Sequence, residues 1–190
     1  MSKVVAFINL TLDGVMQAPA RPDEDRRGDF KHGGWATPYA TMDAADDSMA
    51  HSGALLLGRR TYEDFYSVWP NRSDNPFTEV LNNAQKYVAS TTLAEPLPWR
   101  NSMLLKGDVP QAVASLREKP GKDIVILGSG ELLRSLMRHN LVDEYMLMIH
   151  PLVLGSGRRL FADDGTFAAL RLVNTKTTST GVLIATYQPA

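Results

Sequence analysis

The most constraining stretch of this chain runs from Asp123 to Met137: four apolar residues at 124–127, the turn Gly128-Ser129-Gly130, and at once an amphipathic run. An unbroken apolar segment of strand length suits a strand covered on both faces, which calls for helices on either side of a sheet. The two glycines let the chain turn tightly and let a ligand approach the backbone. The helix that follows offers partial positive charge at its N-terminus. A nucleotide phosphate is the ligand such a turn suits, although a plain strand-to-helix turn carries the same pattern.

The motif's position narrows the choice. A dinucleotide fingerprint of the GxGxxG kind needs a third glycine or alanine and opens the first strand-helix unit. Here position 133 is Leu, and the turn lies two thirds of the way along the chain. No GxxxxGK[ST] is present, so a phosphate-cleaving P-loop is disfavoured as well.

Apolar runs of strand length recur at 4–10, 54–57, 87–89, 102–105, 145–150 and 182–187, with helical patterns at 41–51, 60–68, 76–84, 109–118 and 131–139. The alternation predicts an α/β fold with three layers around an open, mostly parallel sheet. After residue 145 the helices stop and Gly- and Thr-rich segments join the strands, which predicts an antiparallel C-terminal edge and hence a mixed sheet. The 190 residues need no internal boundary and read as a single domain, 1–190.

Charge and composition exclude several classes. With 20 basic and 21 acidic residues, the chain has no field that would favour nucleic acid or an anionic membrane, leaving small molecules and protein partners. The absence of cysteine removes disulfides, thiolate catalysis and cysteine-bound zinc. His32, His51, His139 and His150 lack metal-ligand spacing, and no GxSxG elbow is present, so no metal is expected. No segment reaches the roughly 18 apolar residues of a membrane span, and the N-terminus lacks the marks of a signal peptide, so a cytoplasmic location is expected.

Two further strand ends carry polar groups. The segment 55–65 repeats the design of strand, glycine and helix start, with Arg59, Arg60 and Thr61 at the helix N-terminus, where the macrodipole ordinarily prefers acids. Guanidinium, hydroxyl and free helical N–H groups together suit an anion. Ser90, Thr91 and Thr92 follow the run at 87–89 and add hydroxyls. The long irregular stretch 17–37, ending Gly33-Gly34-Trp35, reads as an ordered loop that brings an aromatic surface to a site.

Taken together, Thr11-Leu-Asp-Gly14, Gly33-Gly34-Trp35, the Gly58-Arg59-Arg60-Thr61-Tyr62 segment, Trp69-Pro70 and the stretch from Gly128 through 141–145 to 150–161 resemble the dihydrofolate-reductase-like superfamily. The resemblance is to stand-alone relatives of the riboflavin-biosynthesis reductase domain and covers nearly the whole chain. It implies NADPH bound across the strand ends, hydride transfer to a small heterocyclic (pterin- or pyrimidine-like) or conjugated substrate, and a homodimer; the residues themselves offer Val142 to Ile149 and the adjoining terminal strand as a dimer surface. By the same resemblance Gly58, Arg59, Arg60 and Thr61 hold the adenosine side and the 2'-phosphate, and Ser90 and Thr91 lie near the adenine ribose. Gly128, Ser129, Gly130, Glu131 and Leu132 cradle the pyrophosphate. The basic pair at 59–60, in place of an acidic ribose reader, independently favours NADP over NAD.

The catalytic candidates are Asp13 in the Leu-Asp-Gly turn, Asp43 on the helix before the Gly-Arg motif, with Asp46 and Asp47 near it, and Trp35 as a substrate wall. No HxE or PCxxC zinc signature is present, so the deaminase half of the bifunctional riboflavin enzyme is absent. A true dihydrofolate reductase, or a non-catalytic nucleotide-binding module on the same fold, is the alternative.

Overall fold

A computed structural model describes residues 1–41, 52–75, 77–161 and 166–190. The predicted helix at 41–51, with Asp43, Asp46 and Asp47, falls almost entirely outside the described residues.

The strands are β1 (Val4–Thr11), β2 (Ser52–Gly58), β3 (Gln85–Ala89), β4 (Ser102–Leu105), β5 (Asp123–Leu127), β6 (Glu144–His150), β7 (Leu170–Thr177) and β8 (Leu183–Pro189). The helices are α1 (Arg59–Val68), α2 (Phe77–Asn83), α3 (Val109–Glu118) and α4 (Gly130–Arg138). The eight strands hydrogen-bond in the order β4-β3-β2-β5-β1-β6-β8-β7. β2 pairs in parallel with both β3 and β5, and β3 with β4, whereas β8 runs antiparallel to β6 and β7. The expected mixed α/β sheet with an antiparallel C-terminal edge is what the chain forms.

Contacts divide the chain into two compact units, Met1–Val5 with Met49–Val142, and Ala6–Ser48 with Asp143–Ala190. In the first, Leu55, Leu56 and Leu57 of β2 and Ile124 to Leu127 of β5 are all buried, so both faces of these central strands are covered. Tyr62 of α1, Val113 of α3, and Leu133 and Leu136 of α4 are buried too, the last two at the i, i+3 spacing that puts them on one helix face. Each such side chain contributes roughly 1.5–3 kcal/mol through burial.

In the second unit the long loop has its own core of Val15, Ala18, Phe30 and Trp35. Gly157 packs against it at φ +117°, where an added Cβ would lie 2.7 Å from Phe30 Cε2 and 2.8 Å from Val15 Cγ1. Strand β7 has no counterpart in the expected strands. Its sequence, LRLVNTKT, is exposed along almost its whole length and so lacks the apolar pattern that burial imposes. Of the expected dimer surface at Val142 to Ile149, Val142, Tyr145, Leu147 and Met148 are buried in the single chain, and Met146 and Ile149 are partly exposed.

Candidate functional site

Within the first unit, the register of three parallel strands gathers the anion-binding candidates at one end of the sheet. Gly58 pairs with Ala89, so Arg59 and Ser90 are the next residues on adjoining strands. Leu56 pairs with Ile126, which carries the two chains to Gly58 and Gly128 two residues later. Ligands of open α/β sheets bind at such carboxyl ends of strands.

The helices that begin there differ from their neighbours in how they start. At α2 the Asn75 Oδ1 accepts the Phe77 N–H at 2.9 Å, and at α3 the Asp108 Oδ1 accepts the Gln111 N–H at 3.0 Å. Helices α1 and α4 have no side-chain cap. No helix can satisfy its first-turn N–H groups internally, so these two termini present backbone donors and partial positive charge together.

Ser129 explains why α4 is uncapped. It occupies the left-handed region at φ 55°, ψ 48°, and its hydroxyl turns away from the helix. Ser129 Oγ accepts the Gly58 N–H at 2.9 Å and lies 2.9 Å from Thr61 Oγ1 and 3.0 Å from the Leu127 carbonyl oxygen. One hydroxyl thus ties the end of β2 to the end of β5 and to the first turn of α1. Gly128, at φ +55°, supplies the preceding left-handed residue, and a Cβ there would meet Thr61 at 3.5 Å.

The remaining candidates on this side fall into place around that tie. Arg59 forms an exposed i, i+4 pair with Glu63 at 3.1 Å, a weak interaction that a phosphate can displace. Arg60 is exposed beside it, and Glu131 and Leu132 stand in the first turn of α4. Ser90 Oγ accepts the N–H groups of Thr92 and Leu93 at 3.1 and 3.0 Å, closing the turn that leaves Thr91 exposed.

In the second unit Asp13 is fully engaged. Its Oδ1 accepts the Thr11 hydroxyl at 2.6 Å and the Leu154 N–H at 3.2 Å, its Oδ2 accepts the Gly155 N–H at 2.9 Å, and Arg159 lies 3.5 Å away. The Thr11 hydroxyl, aided by the two backbone donors, outweighs desolvation and holds the Asp13 carboxyl down at about 2. A carboxyl ionised to that pH has no proton to give near neutrality. The geometry makes Asp13 a tie between the first turn and the 150s loop.

Trp35, expected as a substrate wall, is only 6% exposed and belongs to the loop's core. Its Nε1 donates to the Gln17 carbonyl at 2.7 Å, and its ring stands edge-on to His150 with centroids 5.1 Å apart. His150 is itself buried, with Nδ1 placed 3.0 Å from the Met148 carbonyl and 3.3 Å from that of Leu10. Two carbonyl neighbours assign the proton to Nδ1, and burial pushes the imidazole pKa down, so the ring is neutral at physiological pH. No group of His, Asp or Glu that could hold a metal occurs among the described residues.

Sequence reasoning passed over Lys86. A lysine between Gln85 and Tyr87 reads as the solvent side of a strand, yet it shares parity with the buried Val88 and is itself completely buried. That parity was the available signal.

The family model described as the RibD C-terminal domain matches residues 2–184. The uncharacterized protein YyaP of Bacillus subtilis (strain 168) is 32% identical over 190 residues, an alignment covering 97% of this chain and 94% of that protein. A putative riboflavin biosynthesis protein from Shewanella sp. PV-4 superposes with a TM-score of 0.75 at 22% identity, covering 99% of both chains. The Thermotoga maritima diaminohydroxyphosphoribosylaminopyrimidine deaminase/5-amino-6-(5-phosphoribosylamino)uracil reductase superposes with a TM-score of 0.63 at 18% identity, covering 100% of this chain and 57% of that one.

Proposed function

Because the chain belongs to the RibD C-terminal domain family, we propose that it is an NADPH-dependent reductase of a small heterocyclic, pterin- or pyrimidine-like, or conjugated substrate. The observation that carries this reading is the pair of uncapped helix termini, α1 with two arginines and α4 with the Gly128-Ser129-Gly130 turn, tied together by one serine hydroxyl. The residues present fit the cofactor. The exposed Arg60 and the uncapped first turns of α1 and α4 supply the cationic and N–H donors that its phosphates take.

In this reading the N–H groups at the start of α4, from Gly130 to Leu132, hold the pyrophosphate. Arg59, with Arg60 and Thr61, holds the 2'-phosphate, and Ser90 and Thr91 lie along the ribose. Bound NADPH supplies the hydride. The protein's own contribution is to orient the dinucleotide. Asp13 fixes the turn and leaves proton delivery to another group. We place the enzyme in the cytoplasm as a homodimer; among the described residues no helix is long and apolar enough to cross a membrane, and the exposed edge strand β7 offers a surface for a second copy.

Thermal shift tests the cofactor assignment. NADPH at about 100 times its Kd adds about 2.7 kcal/mol, which raises Tm by roughly 5–11 °C for a chain of this size. NADH is expected to give less, and Arg59→Ala to erase the difference; equal shifts with both cofactors would overturn the 2'-phosphate assignment. Oxidation of NADPH over a panel of pterins, pyrimidines and quinone-like acceptors tests the reaction, with binding but no turnover on any member marking a non-catalytic module.

A further inference from the structure

Lys86 is 0% exposed, and among the described residues no carboxylate is paired with it. Its ammonium donates to three backbone carbonyls, those of Asn82 at 3.2 Å, Ala84 at 2.7 Å and Arg100 at 3.1 Å, and sits 4.4 Å from the centroid of the Trp99 ring. Those acceptors use all three of its protons. The site is therefore complete as a resident cation, with the Trp99 π face in place of a counter-ion.

The acceptors lead to the candidate cofactor site. Trp99 Nε1 donates to Asn82 Oδ1 at 2.7 Å, and the Trp99 backbone N–H donates to Tyr62 Oη at 3.0 Å. Tyr62 directly follows Thr61 in α1, and both Tyr62 and Trp99 are buried. Because the three groups are buried and linked by these hydrogen bonds, α1 is held in rotation through Tyr62 by a lattice whose centre is Lys86.

We propose that Lys86 is a positioning residue for the cofactor site, its ammonium fixing the 96–101 segment and, through Trp99 and Tyr62, the helix start that carries Arg59 and Thr61. The proposal rests on the NADPH reading for its consequence, though not for its geometry. It implies a proton-linked affinity. Burial, reinforced by the Arg100 guanidinium, pushes Lys86 down to about 8. Among the described residues the Arg100 charge is the one that acts on Lys86; Glu79 of α2 is turned to Arg100, at 3.5 Å. Above that pH the amine has two protons for three carbonyls, and the cation–π contact is gone.

The sign separates this effect from alkaline unfolding. A lysine whose native pKa is depressed from 10.5 leaves the unfolded chain holding more protons between about 8 and 10.5, so this group raises the unfolding free energy as pH climbs. Cofactor affinity is expected to fall over the same range.

The test measures NADPH Kd between pH 7 and 9 for wild type, Lys86→Met and Tyr62→Phe, with amide exchange of the α1 and α4 peptides at pH 7. Wild-type Kd is expected to rise up to about tenfold by pH 9, where a tenth of Lys86 remains protonated, with no fall in Tm. Both variants are expected to bind more weakly at pH 7 and to lose the pH dependence. Tyr62→Phe leaves Lys86 and its acceptors in place, so it decides the matter if Lys86→Met does not fold. Its α1 peptide is expected to exchange faster than wild type, with α4 unchanged. A flat wild-type Kd, an unaltered pH dependence in Tyr62→Phe, or unchanged α1 exchange would each overturn the proposal. If wild type binds neither NADPH nor NADH, the cofactor reading fails, and the exchange measurement alone still decides whether Tyr62 carries the coupling.

Discussion

Ser129 sets two opposing effects against each other, and their sizes follow from its geometry. Its hydroxyl accepts the Gly58 N–H and donates its single proton to either Thr61 Oγ1 or the Leu127 carbonyl, so two hydrogen bonds are at stake. At about 1 kcal/mol net for each, Ser129→Ala should cost about 2 kcal/mol. Alanine keeps the left-handed conformation at φ 55°. Glycine removes the same hydroxyl but relieves a steric penalty of roughly 1 kcal/mol at that backbone position, so Ser129→Gly should cost only about 1 kcal/mol. For a chain of 190 residues these losses correspond to Tm drops of about 4–8 °C for alanine and about 2–4 °C for glycine. Urea unfolding followed by circular dichroism, with unchanged m-values, provides the free energies directly. The Ser129 hydroxyl is no tie if Ser129→Ala unfolds within about 0.5 kcal/mol of wild type, and the left-handed backbone carries no penalty if the glycine variant is as destabilised as the alanine one.

Two further perturbations probe the second unit. The Asp13 carboxyl titrates near 2 in the native state against an ordinary 3.8, so the unfolded chain takes up the proton first; the stabilisation is complete above about pH 4 and is lost as pH falls towards 2. With the side chain 18% exposed, solvent screening leaves about 1 kcal/mol of this, and acid unfolding curves should show that step in wild type and not in Asp13→Asn. Gly157→Ala should lose at least about 2 kcal/mol, since its Cβ must enter the space of Phe30 and Val15 from a backbone position hostile to side chains; a thermal melt that matches wild type would disprove the contact.

Local pattern was enough where burial imposes a pattern. Leu55 to Leu57 and Ile124 to Leu127 are apolar without a break because both their faces are covered, and the helical pattern at 109–118 coincides with the observed α3. The three strand ends bearing Gly58, Ser90 and Gly128 were legible for the same reason: glycine, arginine and serine after an apolar run are conspicuous in sequence. Strand β7 was not legible, because an edge strand exposed on both faces needs no apolar period and is held by backbone pairing with β8.

The sequence by itself therefore determined the α/β class, the parallel centre and the glycines, arginines and hydroxyls that follow three of its strands, all of which are written in the order of apolar runs, glycines and charges. Only tertiary structure decided what individual polar side chains do. Asp13 became an ionised tie because Leu154 and Gly155, some 140 positions away, bring their N–H groups to it. Trp35 turned inward to Gln17 and His150, and Lys86 became a buried cation because three carbonyls and an indole close around it. A side chain's type states which bonds it can make; the partners that complete those bonds are set by long-range packing, which local sequence does not encode.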